Sequence, residues 1–161
     1  MPTDFAWPDY NPQRIKPFLT AIPCRRIMTR VLVVDDDRAL LGALTEALSE
    51  VFEVVAAADG HAAWAVLNDG PVDAVIADLR MPGMSGGTLC ERIRDCASIA
   101  SMPVILVSGE YSPPAFVRYD CYLRKPLDMQ QLVETTRRLL LADPFRAIGN
   151  PVGRHHERLQ D

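Results

Sequence analysis

The chain has no apolar run approaching the roughly 18 residues needed to cross a bilayer, and its N-terminus has no continuous apolar h-region. Membrane insertion is therefore not expected, and the cytoplasm is the default location. It has little cysteine. Cys24, Cys90, Cys96 and Cys121 form no Cys-x-x-Cys pair and no His-rich spacing, which excludes a zinc framework or a disulfide scaffold and leaves reduced packing thiols. Positive charge is not in excess either. A formal charge of -4 gives no broad attraction for a phosphate backbone, so direct nucleic acid binding is not expected. At 161 residues the chain also lacks the material for a second core, so one site is sought.

What is present suits a globular protein. Hydrophobic residues make up 48% and charged residues 24%, too apolar for a largely disordered chain. Residues 1 to 28 scatter Pro2, Pro8, Pro12, Pro17 and Pro23 among aromatic and polar residues and read as an irregular arm without periodicity. Met28-Thr29-Arg30 sits immediately before the first strand, which offers Met28 as a native start and leaves the upstream arm as a non-native extension.

From Arg30 onward, short apolar runs alternate with amphipathic stretches, the pattern of repeated β/α units. Val31–Val34, Val51–Ala57, Ala74–Ala77, Val104–Val107 and Cys121–Leu123 read as strands. Arg38–Glu50, Gly60–Asn68, Gly86–Cys96 and Asp128–Ala142 read as helices. Continuously apolar strands are expected where helices cover both faces of a parallel sheet. Right-handed crossovers then favour an α/β, doubly wound, five-stranded parallel sheet of order 2-1-3-4-5. The domain is placed at residues 29–142. The tail, residues 143–161, is too short for an output domain, and its His155-His156 pair reads as solvated rather than metal-binding.

In open α/β sheets the ligand site lies beyond the carboxyl ends of the strands, where strand order reverses. Strand one ends in Asp35-Asp36-Asp37, strand three in Asp78, strand four in Ser108 and strand five in Lys125-Pro126. Two unit charges about 4 Å apart repel by roughly 4 kcal/mol at an effective dielectric near 20, so such carboxylates call for a cation. Hard oxygen ligands suit Mg²⁺, which takes one or two carboxylates and leaves room for a phosphoryl oxygen. The set reads as a phosphoryl-transfer site, with Asp78 as nucleophile, Lys125 as fixed cation and Ser108 as hydroxyl donor. Asp35 and Asp36 are better metal ligands than Asp37, which can cap the following helix. Singly, each residue has a bland reading as a cap or a solvated side chain. Their shared place at strand ends on one edge gives the set its specificity.

These residues resemble the receiver domain of bacterial two-component response regulators over about Arg30 to Ala142. The resemblance is carried by Val31-Leu32-Val33-Val34-Asp35-Asp36-Asp37, Asp78-Leu79-Arg80-Met81-Pro82-Gly83-Met84-Ser85-Gly86, Pro103-Val104-Ile105-Leu106-Val107-Ser108-Gly109 and Tyr122-Leu123-Arg124-Lys125-Pro126. It implies a flavodoxin-like fold, like that of a stand-alone chemotaxis regulator. Asp78 would accept phosphate from a histidine kinase or phosphotransfer protein with Mg²⁺. Asp35, Asp36, Asp78 and the backbone carbonyl of Arg80 would hold the metal, and Ser108 and Lys125 the phosphoryl oxygens. Ser108 and Tyr122 would form the switch, and Lys125-Pro126 would be cis. Arg80 and Glu110 are expected to pair across the mouth of the site and tune access of hydrolytic water. The output would pass to a downstream protein or onward along a relay, without conventional enzymatic turnover.

One segment departs from the pattern. Between Ser108 and Lys125 only Tyr111-Ser112-Pro113-Pro114 and the six residues to Asp120 stand where a fourth helix is usual. Two prolines remove backbone donors, so that helix is expected to be shortened or missing. Dimerisation and target binding commonly use this face, which leaves a homodimer open. The same departure keeps alive an alternative, a phospho-independent interaction module of the same fold. A Mg²⁺-dependent phosphohydrolase would use the same groups but lacks a lid segment.

Overall fold

In the computed structural model of the protein, residues 28–142 are described. The expectations for the arm before Met28 and for the tail from residue 143 lie outside the described residues. The chain runs β1 (Arg30–Val34), α1 (Arg38–Ser49), β2 (Glu53–Ala57), α2 (Gly60–Asp69), β3 (Ala74–Asp78), α3 (Gly86–Asp95), β4 (Val104–Ser108), β5 (Cys121–Arg124) and α4 (Met129–Leu141). All strand pairs are parallel, in the order β2-β1-β3-β4-β5. This is the expected doubly wound sheet. Strand two begins two residues later than its apolar run suggested. The backbone N–H groups of Val51 and Phe52 turn back to the Leu48 carbonyl at 3.0 and 2.9 Å and close the end of α1.

Side chains alternate across a strand, so each strand feeds two cores. Leu32, Val34, Val75, Ala77, Val104 and Leu106 face one layer with Leu89, Cys90 and Ile93 of α3 and Ala63 of α2. Val31, Val33, Ala74, Ile76, Ile105 and Val107 face the other with Leu41, Leu44 and Leu48 of α1 and Leu132 of α4. β3 and β4 are buried along their whole length, as double coverage requires. Asp37, Asp59, Ser85 and Asp128 begin the four helices, each side chain accepting from a first-turn N–H. That satisfies donors which have no partner inside the helix.

No helix joins β4 to β5 among the described residues. Instead Val117, Tyr119 and Tyr122 pack on the core layer that holds α3. Polar contacts with α3 pin the end of this segment. Arg94 donates to the Arg118 carbonyl at 2.7 Å and to the Asp120 carboxylate at 2.6 Å. Arg118 in turn donates to Glu91 at 2.8 Å and to Asp95 at 2.6 Å. Two arginines thus clamp the end of this segment to α3.

Candidate functional site

Asp78 ends β3 and Asp35 follows β1, and the adjacency of those two strands brings their carboxylates together. Both are buried, at 2% exposure for Asp35 and 7% for Asp78. Lys125, just past β5, reaches between them. Its Nζ donates to Asp35 Oδ2 at 2.8 Å and to Asp78 Oδ1 at 2.6 Å. Burial opposes the ammonium, but the hydrogen bonds to the two carboxylates outweigh it and hold Lys125 above the ordinary lysine range. The Lys125-Pro126 peptide bond is cis.

Backbone donors fix the remaining carboxylate oxygens. Asp78 Oδ2 accepts from the Arg80 N–H at 2.7 Å, and Asp35 Oδ1 from the Asp37 N–H at 2.9 Å. Asp37 itself caps α1, accepting from Ala39 and Leu40. Asp36 is exposed. Among the described residues no three acidic, histidine or cysteine side chains are gathered as a metal site. The structure therefore brings Asp35, Asp78 and Lys125 together and leaves Asp36 outside that set.

One ammonium against two buried carboxylates leaves a negative charge uncompensated. Mg²⁺ commonly takes one or two carboxylates and keeps several waters, so the donor set at Asp35 and Asp78 fits it.

Ser108 ends β4 and is 2% exposed. Its Oγ accepts from the Glu110 N–H at 3.2 Å. Tyr122 is half-buried, and its hydroxyl donates to the Glu110 carbonyl at 2.8 Å. Arg80 donates through Nε to Glu110 Oε1 at 2.7 Å, with Nη2 at 2.6 Å from the same oxygen. Sequence reasoning found the Arg80 and Glu110 charges but not Glu110's two backbone contacts, because a main-chain N–H or carbonyl is common to every residue. It also missed Arg94, Glu91 and Arg118, whose roles follow only from where the β4–β5 segment lands.

The profile of the family described as "Response regulator receiver domain" matches residues 31–137. The sensory transduction protein RegX3 of Mycobacterium tuberculosis (H37Rv) is 35% identical over 119 residues, covering 70% of this chain and 51% of that protein. The response regulator MprA of Mycolicibacterium vanbaalenii is 32% identical over 117 residues, covering 69% of this chain and 50% of that protein. The chain thus matches about half the length of these curated relatives. Among solved structures, the chemotaxis protein CheY4 of Vibrio cholerae aligns with a TM-score of 0.66 at 29% identity, covering 70% of this chain and 98% of that one.

Proposed function

This chain belongs to the response regulator receiver domain family, and from that premise we propose that it is the phosphoacceptor of a two-component phosphorelay, modified on Asp78. The observation that carries the reading is the buried Asp78 carboxylate at the end of β3, sharing the Lys125 ammonium with Asp35. A receiver of this kind is a signalling module rather than a turnover enzyme. An Asp78 oxygen attacks the phosphorus of a phosphohistidine on a histidine kinase or phosphotransfer protein. The phosphorus–nitrogen bond breaks, its electron pair stays on the imidazole, and an acyl phosphate forms.

Asp35, Asp36, Asp78 and the Arg80 backbone carbonyl would hold Mg²⁺, which when bound supplies charge neutralisation for the transferred group. Lys125 moves part of its hydrogen bonding from the carboxylates to a phosphoryl oxygen, and the Ser108 hydroxyl donates to another. Ser108 and Tyr122 then act together as the switch that a downstream protein reads, or the phosphate passes onward. Attack of water on the acyl phosphate returns the Asp78 carboxylate and inorganic phosphate. The Arg80–Glu110 pair stands over that approach and slows it. The setting is the cytoplasm, with residues 29–142 as the receiver domain.

Incubation with Mg²⁺ and a small acyl phosphate, followed by intact-mass measurement, tests the reading. A transient single phosphoryl adduct on the wild type and none on Asp78→Asn is expected. No adduct on the wild type, from this donor or from a phosphorylated kinase, would leave a phospho-independent interaction module as the better account. For the guard role, Arg80→Ala and Glu110→Ala should each shorten the adduct's lifetime. Unchanged lifetimes in both would remove it.

A further inference from the structure

Glu110 is tied at three points. Its N–H reaches Ser108 Oγ, its carboxylate reaches Arg80, and its carbonyl receives the Tyr122 hydroxyl. Beyond it, residues 111–117 are held differently from the rest of the fold. A turn at Ala115 and Phe116 is internal to the segment. Among the described residues no side-chain hydrogen bond or ion pair ties 111–117 to the rest of the fold, and Tyr111 meets the Arg124 guanidinium through its ring face, 3.8 Å from the centroid. Val117 rests on the core. Phe116 is wholly exposed and sits at φ 64, in the left-handed region. At the far end Arg118 and Asp120 are clamped to α3 and β4. The segment is thus a span with one end fixed on α3 and the other hung on Glu110.

Two of Glu110's three ties go to groups that a phosphoryl group on Asp78 would draw away. The Ser108 hydroxyl accepts from the Glu110 N–H, so donation of its proton to a phosphoryl oxygen would join that N–H and the phosphoryl group through one hydroxyl and pull on the tie. Arg80 stands two residues from Asp78. A phosphoryl group carrying about −1.5 to −2 charge competes with the Glu110 carboxylate for that guanidinium.

We infer that Glu110 is a latch, opened by phosphorylation of Asp78, which releases residues 111–117 as the output element in place of a fourth helix. This rests on the phosphoacceptor reading. The latch converts a change in charge at Asp78 into a change in order of a surface span that carries Tyr111 and Phe116. Arg118 and Asp120, held by α3 and β4, stay in place and limit the release to that span.

Backbone ¹⁵N relaxation of the full chain tests it, with an excess of small acyl phosphate and Mg²⁺ maintaining the adduct and intact mass measured on the same sample. Pro113 and Pro114 carry no N–H, so Tyr111, Ser112, Ala115, Phe116 and Val117 report. Their order parameters are expected to fall from about 0.85 toward 0.6 on phosphorylation, while Arg118 and Asp120 hold theirs. Arg80→Ala, at an exposed position, and Glu110→Ala, at a half-buried one, should lower those order parameters before any phosphate is added and shrink the further drop. A phosphoryl adduct with unchanged order in residues 111–117 overturns the latch and leaves the phosphoacceptor reading standing. Absence of any adduct overturns both.

Discussion

Lys125 is the side chain on which the site's electrostatics turn. Among the described residues it is the one cation joined to two buried carboxylates, and breaking a buried ion pair leaves a charge that nothing compensates. Lys125→Met is expected to cost toward the lower end of about 3–5 kcal/mol, because 26% of the lysine side chain still meets solvent. Urea denaturation near neutral pH measures it; a loss within experimental error would show the carboxylates to be independent of the lysine. Cys90 presents the opposite case. Burial pushes its thiol up to about 11, so a neutral-pH alkylating agent should modify Cys96 and Cys121 well before Cys90, as peptide mapping over a time course can check. Both side chains were visible in the sequence. Lys125 was singled out because it lies at a strand end, whereas the depth of Cys90 depends on which face of α3 meets the sheet.

Among the elements, α3 does more than cover the sheet. Its first residue, Gly86, lies so close to β3 that a β-carbon there would run into the Asp78 carbonyl and the Leu79 backbone. Backbone cannot swing aside as a side chain can. Gly86→Ala is therefore expected to cost about 1–3 kcal/mol and to slow phosphorylation by displacing Asp78, read by thermal melts and by the rate of adduct formation. Further along α3, hydrogen bonds from the Arg118 side chain hold the Glu91 carboxyl below its usual range. Its folded pKa thus lies under the unfolded value of about 4.3. The pair's contribution is complete above that value and drains away as pH falls through the folded pKa. Glu91→Gln should accordingly destabilise the protein more near pH 7 than around pH 3, as paired denaturation curves would reveal. An equal effect at both pH values would show that the carboxylate's charge is not what holds the β4–β5 segment.

Across the whole molecule, the buried sheet that sets stability lies apart from the exposed span between β4 and β5. Ile76, at 1% exposure in the central strand, should cost about 2–5 kcal/mol when cut to alanine. Phe116, fully exposed, should shift stability by no more than about 0.5 kcal/mol on the same change; chemical denaturation of the two variants separates a core residue from a surface one. The sheet order, the two-sided core and the convergence of Asp35, Asp78 and Lys125 were legible in the sequence, because strand periodicity and crossover handedness leave few ways to arrange five such runs. The missing fourth helix was legible too, from Pro113 and Pro114. What covers its place was not. The Arg94 and Arg118 clamp and the three ties of Glu110 join residues far apart in the chain or pass through backbone atoms. Such contacts depend on distances that only the folded chain sets. The residues that meet around Asp78 are thus written along the chain, while the contacts that link them to the surface are decided by tertiary structure, because those contacts depend on distances between segments remote in sequence.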